Sequence, residues 1–303
     1  MNDDAPAGDP SGDTLRVDSW HDFIGQDRMK TRLAVHIAAA LNEGRFLDHV
    51  LFAGPPGFGK TSLARILGDE MGAAVQTLTM PVKPKALTAL LRQTDWGDIV
   101  FFDEIHRAPK SQQEDLLPLL EEGYVQLPGG ARLEWGGTII GATTEPDRLI
   151  PPLYDRFPIR PAFEDYTPDQ MGAIVAGMAA KAGVDLSPEA CVALGQATAG
   201  TPRNARSFVK AARDLASTGQ PVTVDTVLDL CDTDPDGLSR QHLEYLRVIA
   251  GNGGTAGLKV MTTLLRLSDS MVRELERVLI RYGYVQLSGS GRELTNKGWA
   301  KTR

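Results

Sequence analysis

Through residues 15–165 the chain alternates between uninterrupted apolar runs and stretches whose apolar residues return every three or four positions. Val50-Leu51-Phe52-Ala53, Ile99-Val100-Phe101-Phe102 and Thr138-Ile139-Ile140-Gly141-Ala142 carry no alternation. Strands covered on both faces of a parallel sheet have that character. Residues 74–79 read as a further strand and 159–163 as a last short one. Residues 27–43 carry Met29, Leu33, Ile37 and Leu41 at four-residue steps, which predicts an amphipathic helix. Residues 61–71, 85–93 and 110–122 read as helices too. Residues 124–127 and 131–135 flank Pro128-Gly129-Gly130 as a small hairpin. Strands and helices in alternation predict an α/β domain built on a parallel sheet.

Beyond residue 166 the strand-like runs cease. Pro168, Pro188, Pro202 and the turn at 219–222 mark four helices, each with Ser or Thr near its start. A separate helical lid over 166–232 is expected. Residues 232–237, rich in Asp, Pro and Gly, read as a linker. After it come helical patterns over 241–250, 257–267 and 269–282, then two short strands around Ser288-Gly289-Ser290-Gly291. Three helices and a two-stranded wing are the pattern of a winged helix-turn-helix over 238–303. Residues 1–14, dominated by Asp, Gly, Pro and Ala, read as a disordered tail.

The chemistry concentrates at Gly54-Pro55-Pro56-Gly57-Phe58-Gly59-Lys60-Thr61, between the first strand and the helix that follows it. Glycine, four residues, glycine, lysine and threonine make a phosphate-binding loop. Gly54, Pro55, Gly57 and Gly59 shape a backbone whose N–H groups turn inward, and the loop opens onto a helix N-terminus, an end that favours anions. Lys60 is expected at the β- and γ-phosphates, with Thr61 on Mg²⁺ and Ser62 beside them. The strand ending in Asp103-Glu104 supplies two carboxylates where ligands of open α/β sheets bind. Asp103 is placed to hold Mg²⁺ through water, and Glu104 to polarise the attacking water. ATP with Mg²⁺ is therefore the expected cofactor. Thr144, ending the next buried strand, is placed to sense the γ-phosphate. Arg203 stands at a helix start, where the dipole disfavours it, and a phosphate contact would explain the placement.

Charge modifies the picture. The whole chain has a net charge of −7. Residues 239–303 hold 11 Lys and Arg against 5 Asp and Glu, so they are net positive within an acidic chain. A basic module of this kind fits nucleic acid. Arg273, Arg277 and Arg281 recur at four-residue steps on one helix face, and Arg292 is expected at the wing tip. No apolar run is long enough to span a bilayer, so no membrane partner is expected. Cys191 and Cys231 are isolated and read as ordinary thiols of a reducing cytosol, which predicts a cytoplasmic protein. His21, His36, His49, His106 and His242 form no metal-binding spacing.

Taken together, Phe23-Ile24-Gly25-Gln26, Leu47-Asp48-His49-Val50-Leu51, the phosphate loop, Asp103-Glu104-Ile105-His106-Arg107, Gly141-Ala142-Thr143-Thr144, Tyr166-Thr167-Pro168 and Gly200-Thr201-Pro202-Arg203 resemble an AAA+ ATPase. More narrowly they resemble the RuvB family of Holliday-junction branch-migration motors, from about residue 17 to the C-terminus. The resemblance implies a P-loop AAA+ sheet, a helical lid and a DNA-binding winged helix. It implies that Thr144 is the polar sensor, Arg203 the lid arginine and Arg156 an arginine finger reaching a neighbouring subunit's ATP. Phe23, Ile24 and Tyr166 would lie near the adenine. A finger acting in trans implies a homo-oligomer, a hexameric ring around duplex DNA.

The chain also departs from the family. Its hairpin at 124–135 is much shorter than the one with which the family docks RuvA, which weakens the expectation of a RuvA-like partner. Tyr154 and Glu145 stand where relatives carry arginine. These differences mark a divergent member, of the kind a phage or mobile element carries. Two functional classes stay open at this point: a DNA motor at Holliday junctions in recombination and repair, and a clamp-loader-like or helicase-loader-like ATPase that assembles a partner on DNA. A regulator whose winged helix binds a protein is the weaker third.

Overall fold

A computed structural model describes residues 15–127 and 129–302; the tail expected over 1–14 lies outside the described residues. The chain divides after Tyr166 into two units.

The first unit runs α1 (Asp27–Glu43), β1 (Val50–Ala53), α2 (Lys60–Met71), β2 (Val75–Thr79), α3 (Pro84–Leu91), β3 (Ile99–Asp103), α4 (Lys110–Asp115), α5 (Leu117–Glu121), β4 (Tyr124–Gln126), β5 (Arg132–Glu134), β6 (Thr138–Thr143) and α6 (Pro151–Asp155). The sheet order is β1-β6-β3-β2, all parallel. Strands β1, β6 and β3 are almost wholly buried because both of their faces are covered, whereas the edge strand β2 leaves Gln76, Thr77 and Thr79 exposed. Phe52, Phe101 and Ile140 point into a core shared with Leu33 and Ile37 of α1 and Leu63 and Leu67 of α2. Their neighbours Leu51, Val100, Phe102 and Ile139 point the other way, against Leu87, Leu119, Leu153 and Phe157.

Two expectations need correcting. The helix expected over 110–122 is interrupted at Leu116, where α4 gives way to α5. Pro118 lacks the N–H that an unbroken helix would use. The strand expected over 159–163 is reduced to single parallel bridges at Ile159–Val50 and Ala162–Ala53. Pro158 and Pro161 flank its pairing residues and cannot donate to a ladder.

The second unit runs α7 (Pro168–Ala182), α8 (Pro188–Ala197), α9 (Pro202–Ser217), α10 (Val224–Leu230), α11 (Arg240–Gly251), β7 (Thr255–Ala256), α12 (Leu258–Leu265), α13 (Asp269–Arg281), β8 (Val285–Ser288), β9 (Gly291–Leu294) and α14 (Asn296–Lys301). Thr167, Ser187 and Thr223 cap α7, α8 and α10 through their side chains, while Thr201 makes no such cap on α9. The wing gains a short third strand, in the order β7-β9-β8, and a closing helix, α14.

The 232–237 segment is ordered. Asp234 Oδ1 accepts from the backbone N–H groups of Asp236 at 3.0 Å and Leu238 at 2.8 Å. Lys301 Nζ pairs with Asp234 and Asp236, each at 2.6 Å. Leu238 is buried in the winged-helix core with Tyr245, Met261, Val272 and Leu279. The segment read as a linker is thus a packed turn that belongs to the winged helix. Among the described residues no helix is long and apolar enough to cross a membrane.

A fragment spanning 232–303 is expected to be more stable than one spanning 239–303. Burial of Leu238 alone is worth roughly 2 kcal/mol, about 10 °C of melting temperature at this size. Thermal unfolding of both fragments checks this, and equal midpoints would show that the turn contributes nothing.

Candidate nucleotide-binding site and arginine-bearing helix

The loop between β1 and α2 is closed by its own lysine. Lys60 opens α2, is buried, and donates to the carbonyls of Gly54 at 2.9 Å and Pro55 at 2.8 Å. Gly59 sits at φ 85°, and a Cβ there would come within 3.0 Å of the Phe23 ring. Only glycine takes that conformation without strain while leaving room for the ring. Phe23 is therefore against the loop, with Ile24 half-buried beside it. The Phe58 and Tyr166 rings lie 5.5 Å apart between centroids. Gln26 ties the two ends of the unit together: its amide donates to the Glu164 carbonyl at 2.7 Å and accepts from the Glu164 N–H at 2.8 Å. Burial pushes the Tyr166 hydroxyl up to about 12, so it stays protonated. Thr61 and Ser62 are half-buried in the first turn of α2.

The two carboxylates leave β3 in different environments. Asp103 is raised above the usual carboxylate range by burial and then by Glu104, while Lys60 acts to lower it. Glu104 takes a left-handed conformation, φ 51° and ψ 49°. A non-glycine residue in that region is strained, and such strain concentrates at functional sites. The conformation aims Glu104 at the end of β6. Its Oε2 accepts from Thr144 Oγ1 at 3.2 Å and lies 3.1 Å from His106 Nδ1. The same His106 nitrogen is 3.0 Å from Thr143 Oγ1, and Nε2 is 3.7 Å from a Glu145 oxygen. Burial lowers the His106 pKa, and Glu104 followed by Glu145 opposes that. A neutral ring with its proton on Nδ1 can donate to Glu104 or to Thr143. Arg148 pairs with Glu145 at 3.6 Å.

Glu104 and Thr144 meet because β3 and β6 are parallel neighbours in register, Phe102 opposite Gly141. Thr143, His106 and Glu145, gathered around Glu104, belong to no motif that the phosphate chemistry dictates. The available signal was the Thr-Thr-Glu ending of a strand destined to lie beside β3.

The expected arginines fall into four situations. Arg156 follows α6 with its guanidinium bonded to Glu121 of its own chain, both half-exposed. Arg203 is exposed on the first turn of α9 in the second unit. Arg273, Arg277 and Arg281 are exposed along α13. Arg292 differs from the expectation. It stands one residue inside β9, opposite Leu287 and Ala256, and not at the wing tip. Its Nε donates to Glu276 Oε2 at 2.8 Å, with side-chain exposures of only 11% and 7%. Tyr245 donates to the same carboxylate oxygen at 3.3 Å. A buried carboxylate needs a partner of this kind, so Arg292 is committed to the core of the winged helix.

Comparison with known proteins matches residues 15–163 to the family model of the Holliday junction DNA helicase RuvB P-loop domain. Residues 235–302 match the RuvB C-terminal winged helix domain. The chain is similar to the Holliday junction branch migration complex subunit RuvB of Nitratiruptor sp., 32% identical and covering 94% of this chain and 90% of that one. The subunit of the same name from Paramagnetospirillum magneticum is 35% identical, covering 94% and 88%. Among solved structures, the Thermotoga maritima RuvB Holliday junction branch migration motor superposes with a TM-score of 0.82 at 31% identity, over 95% of this chain and 97% of that one.

A crossed experiment separates the arginines. Arg292→Ala is expected to cost roughly 3 kcal/mol, by stranding a buried carboxylate, and to leave the salt dependence of duplex binding unchanged. Arg273→Ala/Arg277→Ala is expected to leave stability within about 0.5 kcal/mol and to lower the salt slope by about two. Urea unfolding and duplex titrations across a salt series provide both readings. A flattened salt slope in the Arg292 variant would return that residue to the DNA surface.

Proposed function

The chain belongs to the RuvB family, and we propose that it is an ATP-dependent motor that translocates duplex DNA at Holliday junctions, driving branch migration in recombination and repair. One observation carries the reading: a phosphate loop beside a strand ending in Asp103-Glu104 and a winged helix with an exposed arginine face occur in one chain. The loader reading loses its footing, because similarity to branch-migration subunits extends over 94% of the chain.

The residues suit ATP. Lys60 is a buried ammonium at the N-terminus of a helix, close enough to Asp103 to lower its pKa, and its chemistry fits the β- and γ-phosphates. Thr61 and Asp103 offer the hard oxygen donors that Mg²⁺ prefers. Mg²⁺, when bound, neutralises charge on the phosphates. Phe23, Ile24 and Tyr166 would enclose the base. Glu104 orients and polarises the attacking water. The Thr144 hydroxyl has one proton to donate, so donation to a γ-phosphate oxygen would release the Glu104 oxygen it now holds. Sensing triphosphate and freeing the carboxylate would then be one event.

In a hexameric ring Arg156 would leave Glu121 and reach the next subunit's ATP, and Arg203 would report nucleotide state through the lid. The relatives are subunits of a complex. A junction-recognising, RuvA-like partner of this chain would meet a hairpin with only three residues in each of β4 and β5. The setting of this work would be the cytoplasm.

Glu104→Gln is expected to bind ATP and hydrolyse it at least ~100-fold more slowly. Arg156→Ala is expected to lose ~10³-fold in turnover. Mixed together, the two variants should regain activity, because an intact Glu104 in one subunit can meet an intact Arg156 from the next. Steady-state phosphate release from verified mixed rings is the measurement, and no recovery there would refute the trans assignment.

A further inference from the structure

The turn that delivers Arg203 is held from outside the lid. Residues 198–201 connect α8 to α9 through two successive left-handed residues, Ala199 at φ 51° and Gly200 at φ 64°. Ala199 is buried despite that conformation. Its carbonyl accepts from the Thr201 hydroxyl at 3.3 Å, and also from the hydroxyl of Tyr282. Thr201 is the N-cap residue of α9, and Arg203 stands two residues further on. Tyr282 comes from another part of the chain: it is the C-cap residue of α13, adjacent to Arg281.

The approach is close enough to exclude other side chains. A Cβ at Gly200 would lie 2.8 Å from the Tyr282 hydroxyl and 3.9 Å from a terminal guanidinium nitrogen of Arg281. That same guanidinium lies 5.7 Å over the Tyr282 ring. The end of α13 therefore presents Arg281 on its exposed face and inserts the neighbouring residue into the turn before α9. The ordered segment at 232–237 packs on the turn as well, since a Cβ at Gly237 would lie 2.7 Å from the Ala197 carbonyl and 2.9 Å from the Ala199 nitrogen.

We infer that Tyr282 is a positioning residue that couples DNA contact along α13 to the orientation of Arg203 at the start of α9. The inference rests on the proposed roles of Arg203 at nucleotide and of the α13 arginines at DNA. A strained turn has few alternative conformations, so a shift of α13 on engaging phosphate moves the Ala199 carbonyl, and with it the first turn of α9. Coupling of this kind is reciprocal: nucleotide state changes DNA affinity by the same factor as DNA changes nucleotide affinity.

The test uses the full chain and a random-sequence duplex, with binding measured in ATPγS–Mg²⁺ and in ADP. Wild type is expected to differ at least ~5-fold between the two states, the lower end of ordinary coupling. Tyr282→Phe removes the hydroxyl, and with it the hydrogen bond to the Ala199 carbonyl, and is expected to bring the ratio below ~2-fold while leaving the ADP-state affinity and the melting temperature as in wild type. A ratio unchanged from wild type overturns the inference, as does a wild-type ratio below ~2-fold. Should the phenylalanine variant melt earlier, Gly200→Ala, which displaces the hydroxyl from the other side, decides by the same criterion. Arg203→Ala separates the layers. Collapse there with no change in Tyr282→Phe defeats the coupling role alone, whereas no collapse in Arg203→Ala defeats the assignment of Arg203 on which it stands.

Discussion

The parallel register of β1, β6 and β3 is the constraint from which the first unit follows. Ala53 lies opposite Thr143 and Phe102 opposite Gly141, so the carboxyl ends of three buried strands reach one edge together. The phosphate loop leaves the first, Thr144 leaves the second, and the acid pair leaves the third. None of these residues is near the others in sequence. The apolar runs that cover both faces of the sheet fix the register, since a one-residue slip would exchange the two cores, putting Phe101 and Ile140 where Phe102 and Ile139 now pack. Hydrophobic burial thus sets the geometry in which Thr144 can bond Glu104.

The second unit uses charge in two opposite ways. On α13, Arg273 and Arg277 are exposed to water, where a charge costs little. Glu276, one residue from Arg277, is buried, and Arg292 and Tyr245 are drawn inward to satisfy it. Leu287, facing Arg292 in the ladder, is 61% exposed. The apolar residue is outside and the charged one inside, the reverse of what hydropathy alone assigns. A buried carboxylate is costlier to leave unpaired than a leucine is to leave in water, and that inequality decides the arrangement.

Much of this was legible in the sequence, and the limits have physical causes. Strands β1, β3 and β6 could be read because doubly covered strands are almost wholly apolar. The phosphate loop, Asp103 and Glu104 could be read because their residue types and their places at strand ends are dictated by phosphate chemistry. The break at Leu116 was visible only as Pro118, whose lost N–H outweighs the helical period around it. Arg292 was misassigned because its partner, Glu276, is 16 residues away, and no local pattern shows which charge will be buried. The segment at 232–237 read as a linker for a related reason. Asp, Pro and Gly mark turns whether or not a distant lysine, here Lys301, pins them.

Glu145, just past the end of β6, adds a second acid beside the His106 ring. With glutamate there, His106 lies between two carboxylates, 3.1 Å from Glu104 and 3.7 Å from Glu145. Two acids so placed raise the affinity of the ring for a proton, yet burial outweighs them and the pKa stays low. The ring therefore acts as a neutral spacer that can give one hydrogen bond to the Glu104 side. Arg148, three residues on, pairs with Glu145 and sets a positive charge against it at that end of β6, while Glu104 keeps Thr144 as its donor.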